Sequence, residues 1–534
     1  MPIGRIFPLV FAALGALLAG CPTASPPTIP PTAIEPPAAP PTTPVAPATP
    51  PTTPPTAPEN PPPPPAAVAP PEKQPLADWE QPAVALFLTG QQLGYIEPCG
   101  CTGLENQKGG LARRHSLLKQ LTEEKGWTVV PLDVGNQVRR FGKQSEIKFQ
   151  RTADALRLLG YRAVAFGPED LRLPPGELLS GTNPDDKPSI FTSGNIALIE
   201  RSLQPRMQVI AAGGRKIGVV AILADSFEQK LQGDELVRQA AQEGLATSCE
   251  ELKAAGCDYH VLLAHAPPDE AKQLAQAAGL FDLVVIPGFS LPSTVLEAIE
   301  GTKARLLKVS HKGMHVSVVG LSADKSAPIR HENVPLDARL PDSPAMLAML
   351  AEFQEQLKSE GLAGLGLKPQ PHPTGRKFVG SEKCGECHTK AYEIWSKTPH
   401  AHATESLVHP PNSRGDIPRH FDPECLSCHV TGWEPQKIYP YESGYLGLTQ
   451  TPLLKDNGCE NCHGPGAEHA AAESGEGNPT ADLLSKLRDQ MKLPLAGGVA
   501  ENKCRECHDE DNSPDFSHKG FAAYWKEVEH QGKD

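Results

Sequence analysis

The chain has 534 residues, with 50 Lys and Arg against 63 Asp and Glu and a net charge of −13. The length allows about three domains, and an acidic balance without a dense basic run among aromatics argues against nucleic acid as a partner. Its 13 cysteines gather mostly after residue 380, a distribution that suits an exported protein with a cofactor framework better than a cytosolic enzyme.

Arg5 supplies a minimal positive start, and Ile6 to Gly20 form an apolar run short of the roughly 20 residues that a spanning helix needs. The run ends in Leu18-Ala19-Gly20-Cys21, which resembles the lipobox of bacterial lipoproteins. The resemblance implies a signal peptide over residues 1–20, cleavage before Cys21, and acylation of Cys21, which would hold the mature chain at a membrane. Nearly half of the residues from Pro22 to Pro75 are proline. Such a segment lacks the side chains for a core, so residues 21–76 read as an extended, polyproline-like tether.

Short apolar strands alternate with helical patterns over residues 80–360. Val84 to Leu88, Thr128 to Asp133, Ala163 to Phe166, Ile217 to Leu223, His260 to Ala264 and Leu283 to Ile286 read as strands, and Leu111 to Glu123 and Asp234 to Ala255 as amphipathic helices. The alternation predicts a layered α/β domain.

The order of local phrases here resembles the metallophosphoesterase domain of the 5'-nucleotidase family, in which the matching residues hold two metal ions that activate water. At the ligand positions this chain has Gln91 and Leu93, then Asn136 in Leu132-Asp133-Val134-Gly135-Asn136. Pro168-Glu169 stand where that family has an Asn-His pair, and Phe289 and Leu291 replace the last two histidines. His265 alone is kept. The resemblance implies the fold and a degenerate metal site, and leaves a nucleotidase-like hydrolase as a rival reading. Cys99, Cys101, Cys249 and Cys257 make a separate group. Two disulfides are the plain expectation outside the cytoplasm, with a four-thiolate metal site or free thiols as alternatives.

Residues 361–377 read as a linker, and the segment 378–534 repeats one motif four times. Cys-x-x-Cys-His occurs at Cys384, Cys387 and His388; at Cys425, Cys428 and His429; at Cys459, Cys462 and His463; and at Cys504, Cys507 and His508. Two thiols at this spacing reach the two vinyl groups of one haem, and the adjacent imidazole becomes the proximal iron ligand. With 18 histidines in 534 residues, four such pairs followed by histidine by chance have odds of roughly one in a million. Four covalent c-type haems, and iron with them, are therefore expected. So many haems among so few apolar side chains predict short helices and long loops around the groups.

Trp395-Ser396-Lys397-Thr398-Pro399-His400, Gly464-Pro465-Gly466-Ala467-Glu468-His469, Tyr524-Trp525-Lys526-Glu527-Val528-Glu529-His530 and Cys428-His429-Val430-Thr431-Gly432 resemble the tetrahaem cytochrome c-554 family. The resemblance implies that His400, His469 and His530 are distal iron ligands. The fourth distal position stays open between His402, His409, His420, His518 and no protein ligand. The expected whole is a multidomain, anchored electron carrier serving redox protein partners outside the cytoplasm: a metallophosphoesterase-like α/β layer and a mainly helical, loop-rich multihaem domain. Its first rival is a redox enzyme acting on a small nitrogen or sulfur compound at an open haem.

Overall fold

The structure, a computed structural model, describes residues 74–99, 106–183, 188–231, 235–288, 291–410 and 417–530. The signal segment, Cys21, most of the tether, Cys101 and Phe289 lie outside these residues.

Alternation along single strands builds the first domain. In β1 (Val84–Thr89) the side chains of Val84, Leu86 and Leu88 point one way and those of Ala85 and Phe87 the other, and all five are fully buried. A strand apolar on both faces has to be covered on both. The inward set meets a second sheet, where Val219, Ala221, Val261, Leu263 and Val285 close a common core. The outward set packs on helices α1 (Leu111–Lys119) and α2 (Lys143–Leu158) through Leu117, Leu118 and Phe149. Each such side chain contributes roughly 1.5–3 kcal/mol on burial.

Beside β1, the first sheet contains β2 (Val129–Asp133), β3 (Ala163–Val164), β10 (His315–Leu321) and β11 (Arg330–Pro335), in the order β11-β10-β1-β2-β3. β1, β2 and β3 run parallel, and β10 and β11 antiparallel to their neighbours. The second sheet has β4 (Met207–Ala212), β5 (Arg215–Leu223), β6 (Tyr259–His265), β7 (Leu283–Pro287), β8 (Glu297–Ala298) and β9 (Arg305–Val309), in the order β8-β9-β7-β6-β5-β4. Its outer face is covered by α3 (Ala241–Ala255) and α4 (Pro268–Ala278) through Leu245, Leu252 and Leu274. Both helices stop at a glycine in the left-handed region, Gly256 and Gly279, the usual way of satisfying the last carbonyls. The result is four layers, helix-sheet-sheet-helix, in agreement with the layered α/β expectation.

Two local expectations change. The helix expected from Asp234 begins only at Ala241, because Leu236–Arg238 pairs as a strand with Ile196–Leu198. The boundary expected at 360 falls inside α5 (Pro344–Gly364). Nor does 361–377 behave as a linker: Leu365 joins a buried cluster with Phe353 and Leu357, while Leu362 and Leu367 pack on the core of the C-terminal segment. Apolar leucines spaced along this stretch are the physical reason.

Beyond it, helices of three to ten residues alternate with loops, and one buried cluster around Leu426, Val430, Trp433 and Tyr445 holds the segment. Among the described residues no helix is long and apolar enough to cross a membrane.

Candidate functional site

Each Cys-x-x-Cys-His motif lies on or directly after a short helix: Ser381–Gly385, Pro423–His429, Cys459–His463 and Val499–Arg505. A helical turn puts residues three apart on one face, so both thiols of a motif point the same way. The second helix is capped by Asp422, which accepts from the Glu424 backbone N at 2.9 Å, a contact of the ordinary N-cap kind.

The first, third and fourth motifs open on one cavity of about 770 Å³, together with His400, His469 and His530. Thiols of different motifs adjoin: Cys384 meets Cys459, Cys428 meets Cys507, and Cys462 lies beside Cys504. The motifs therefore neighbour one another in the order first, third, fourth, second.

Across the cavity three pairs of imidazoles face each other. Ring centroids are 6.4 Å apart for His388 and His469, 5.9 Å for His400 and His508, and 5.8 Å for His463 and His530. Each pair joins the histidine of one motif to one of the three expected distal histidines. Two metal–imidazole bonds of about 2 Å each and two half-rings add up to a separation of this size, so the pairs fit a haem iron held between them. The tautomers fit as well. His463 Nδ1 donates to Met491 O at 2.7 Å, His530 Nδ1 to Val528 O at 2.8 Å, and His429 Nδ1 to Ala403 O at 2.8 Å. A carbonyl only accepts, so the proton is on Nδ1 and the Nε2 lone pair is left for a metal.

His400 is set by backbone contacts that join its turn to the loop before the third motif. Asn457 N donates to His400 O at 3.0 Å, and Trp395 Nε1 donates to Asn457 O at 3.0 Å. Glu460, inside the third motif, was not singled out from the sequence. Its buried carboxylate accepts from Val379 N, Gly380 N and Gly466 N at 3.0, 2.7 and 2.7 Å. It thereby ties the entry to the first motif and the turn before His469 to the third. An acid between the two cysteines was the available signal.

The second motif differs. It is not part of the cavity lining, and among the described residues His429 faces no second imidazole. His409 and His518 are exposed, His420 rests against Phe421 with ring centroids 3.9 Å apart, and His402 stands by Asp456. What the second motif does meet is the α/β domain. Lys148 Nζ pairs with Glu424 at 2.6 Å, Gln144 Nε2 donates to Asp422 at 2.7 Å, and Arg419 grips Glu97 with two hydrogen bonds of 2.7 and 2.5 Å. Asp511, just after the fourth motif, pairs with both Arg139 and Lys312. Burial works against its ionisation, but these two cations hold its carboxyl down at about 2.

In the α/β domain three of the residues expected at the metal positions, Gln91, Asn136 and His265, come together, while Leu291 is exposed. Asn136 Nδ2 donates to Gln91 Oε1 at 3.1 Å and approaches His265 Nε2 at 3.4 Å, while Gln91 Nε2 donates to Gly288 O at 3.3 Å. His265 is buried, donates from Nδ1 to Val134 O at 2.8 Å, and has its pKa lowered by that burial to about 4. An amide thus stands where its lone pair points. Glu169 makes ion pairs with Arg172 and Lys230. Gly167 fits closely, since a Cβ there would lie 2.0 Å from Asn136 Oδ1. Among the described residues no three His, Cys, Asp or Glu side chains converge as a metal site. Cys249 and Cys257 are free thiols, which corrects the two-disulfide expectation: Cys249 is buried in the layer under α3, where burial pushes its thiol up to about 11.

Residues 383–464 match the family described as cytochrome c554 and c-prime, a span that includes the first three motifs and His400. Over 150 residues the chain is 32% identical to cytochrome c-554 of Nitrosomonas europaea, covering 24% of this chain and 57% of that protein. Another part is 23% identical over 298 residues to apyrase of Aedes albopictus, covering 50% of this chain and 53% of the relative. Among solved structures, the 5'-nucleotidase precursor of Thermus thermophilus is similar at a TM-score of 0.43 and 20% identity, over 52% of this chain and 59% of its own. The chain thus spans little more than half the length of the curated relatives it matches. Its C-terminal segment resembles the cytochrome c554 family, which implies covalent haem c and an electron-transfer role.

Proposed function

We propose that this chain is an extracytoplasmic c-type cytochrome that carries four covalent haems, is anchored by a lipid on Cys21, and passes electrons between redox protein partners. The observation that carries the reading is the set of three facing imidazole pairs, each built from one motif histidine and one of His400, His469 and His530. When bound, the haems supply reversible one-electron chemistry at iron. The protein supplies the rest: thiols that fix each group, imidazoles oriented by carbonyls, and motifs close enough to form a continuous row. Electron transfer suits such sites because an iron held by two imidazoles has no free position for substrate. The acidic chain and the lipobox-like Leu18-Ala19-Gly20-Cys21 support a partner-facing protein held at a membrane.

A second reading has its own support. Among the described residues His429 faces no second imidazole, which favours one iron that can take a small ligand, and with it a redox enzyme. The test of the main reading is haem counting by mass on the purified chain after acid–acetone extraction, which removes haem that is not covalently held. Four haems per chain are expected. Two haems, or zinc in their place, would defeat it.

A further inference from the structure

Among the described residues the second motif has no facing imidazole, and most of the α/β domain's polar contacts fall on it, with Asp511 after the fourth motif taking the others. Around the first motif Glu386 and Cys387 are exposed. Around the second, Asp422, Pro423, Leu426, Ser427 and Val430 are all buried. Part of that burial comes from another domain. Lys148, from the middle of α2, pairs with Glu424 at 2.6 Å, next to Cys425 in sequence. Gln144, one turn earlier on α2, and Gln354 of α5 both donate to Asp422, at 2.7 and 3.3 Å. Glu97 holds Arg419, a buried guanidinium, by two hydrogen bonds. An apolar seam runs behind these pairs, with Ile96 and Ile417 packed against Ile147, Phe353 and Leu357. Such partly buried, fork-like pairs backed by apolar contact are directional and exclude water better than a single surface ion pair.

We propose that the α/β domain is a wall of the second haem site, closing it to solvent and to small ligands, so that access to the iron at His429 is governed by the contact of Lys148 and Glu97 with Glu424 and Arg419. This rests on the reading that the second motif carries a haem with an open position. The domain's role is then to make a composite site rather than to hydrolyse anything. Access follows the fraction of molecules in which the contact is open, and any ligand that needs the open form binds in proportion to that fraction.

The test uses the full haem-loaded chain, reduced without oxygen, with carbon monoxide as the probe. Haem content by mass comes first, then the rate of carbon monoxide rebinding after flash photolysis. Lys148→Glu combined with Arg419→Glu places like charges against Glu424 and Glu97 and opens the contact. Arg419→Glu with Glu97→Arg exchanges the pair and keeps it closed. The opened variant should rebind about tenfold faster than wild type, with the exchanged variant back near the wild-type rate. Loss of one haem from the opened variant alone, regained in the exchanged one, supports the same assignment, because the wall then also holds the group. Equal rates in all three proteins at full haem content would overturn the wall while leaving the open iron in place. No carbon monoxide binding in any of them, at four haems per chain, would remove the open-iron reading itself, and the wall with it.

Discussion

Protonation of His265 tests how firmly the buried cluster of Gln91, Asn136 and His265 is closed. The side chain is 2% exposed, its Nδ1–H is used by Val134 O, and the ring of Phe227 crosses it with centroids 5.6 Å apart. Burial lowers its pKa from 6.5 to about 4. The folded value is below the unfolded one, so as pH falls the unfolded chain takes the proton first. Stability from this residue is complete above about pH 6.5 and is lost as pH drops towards 4. The full shift of about 2.5 pKa units corresponds to roughly 3 kcal/mol, of which about 2 kcal/mol is lost by pH 5. Urea unfolding at pH 7.5 and pH 5, followed by emission of the stacked Trp79 and Trp127, measures it in wild type and in His265→Gln. Wild type should lose about 2 kcal/mol more than the variant between the two pH values. Asp170, which burial pushes up to about 7 although four backbone N–H groups donate to it, works in the opposite sense and is common to both proteins. Equal losses would mean that His265 is not held neutral by its surroundings, and the argument for a closed site would fail.

Electron paramagnetic resonance of the oxidised, loaded chain should give three low-spin centres with two imidazoles each and one centre that is high-spin or weakly ligated. His463→Ala should keep its thioether-bound haem and change one of the three low-spin signals; four low-spin signals in wild type would rule out the open iron. With manganese and several nucleotide monophosphates, phosphate release should not exceed that of a His265→Ala control, because two-metal hydrolysis needs two ions held together. Release well above that control would restore the hydrolase reading for the α/β domain.

The four motifs stand out in the sequence because the chemistry they suggest is local: two thioethers and one iron bond to one group fix a five-residue pattern whatever the fold. The strands were legible for a related reason, since burial on both faces leaves a continuous apolar run such as Val84–Thr89. Family resemblance singled out His400, His469 and His530, but not which motif histidine each one faces, because His388 meets His469 only after the chain has passed through two other motifs. Glu460 offered only its acidity as a signal: inside the motif any residue is compatible with attachment, and its backbone donors come from the distant Val379 and Gly380 and from the nearby Gly466. The linker expectation failed on Leu362, Leu365 and Leu367, whose burial depends on partners from both domains.

The loops that carry metal ligands in the resembled family lead here into the haem-side contact, and their shape explains how. Gln91, Leu93 and Asn136 have positive φ angles of 53°, 54° and 62°, a conformation that costs a non-glycine residue roughly 1–2 kcal/mol. Hydrogen bonds between the loops offset it. Gln91 N donates to Gly135 O at 2.7 Å, Leu93 N to Asn136 O at 3.0 Å and Gly94 N to Gln137 O at 2.7 Å, so the two loops lie side by side like a short ladder. Asp170 accepts from Asn136 N at 2.9 Å and Gln137 N at 2.6 Å, and Asn136 Oδ1 accepts from Glu169 N at 3.0 Å. Three or four residues past each strained turn come the groups that reach the haem segment: Ile96 and Glu97 after the first, Arg139 after the second. These bonds hold the two loops to each other and to Asp170, and rigidity is what a wall requires. The same geometry makes Asn136→Ala informative: it removes the bridge between Gln91 and Glu169 without touching the interface. Rebinding of carbon monoxide should quicken in this variant as it does when Lys148 and Arg419 are reversed; a rate unchanged from wild type would show that the contact stands without the loops behind it.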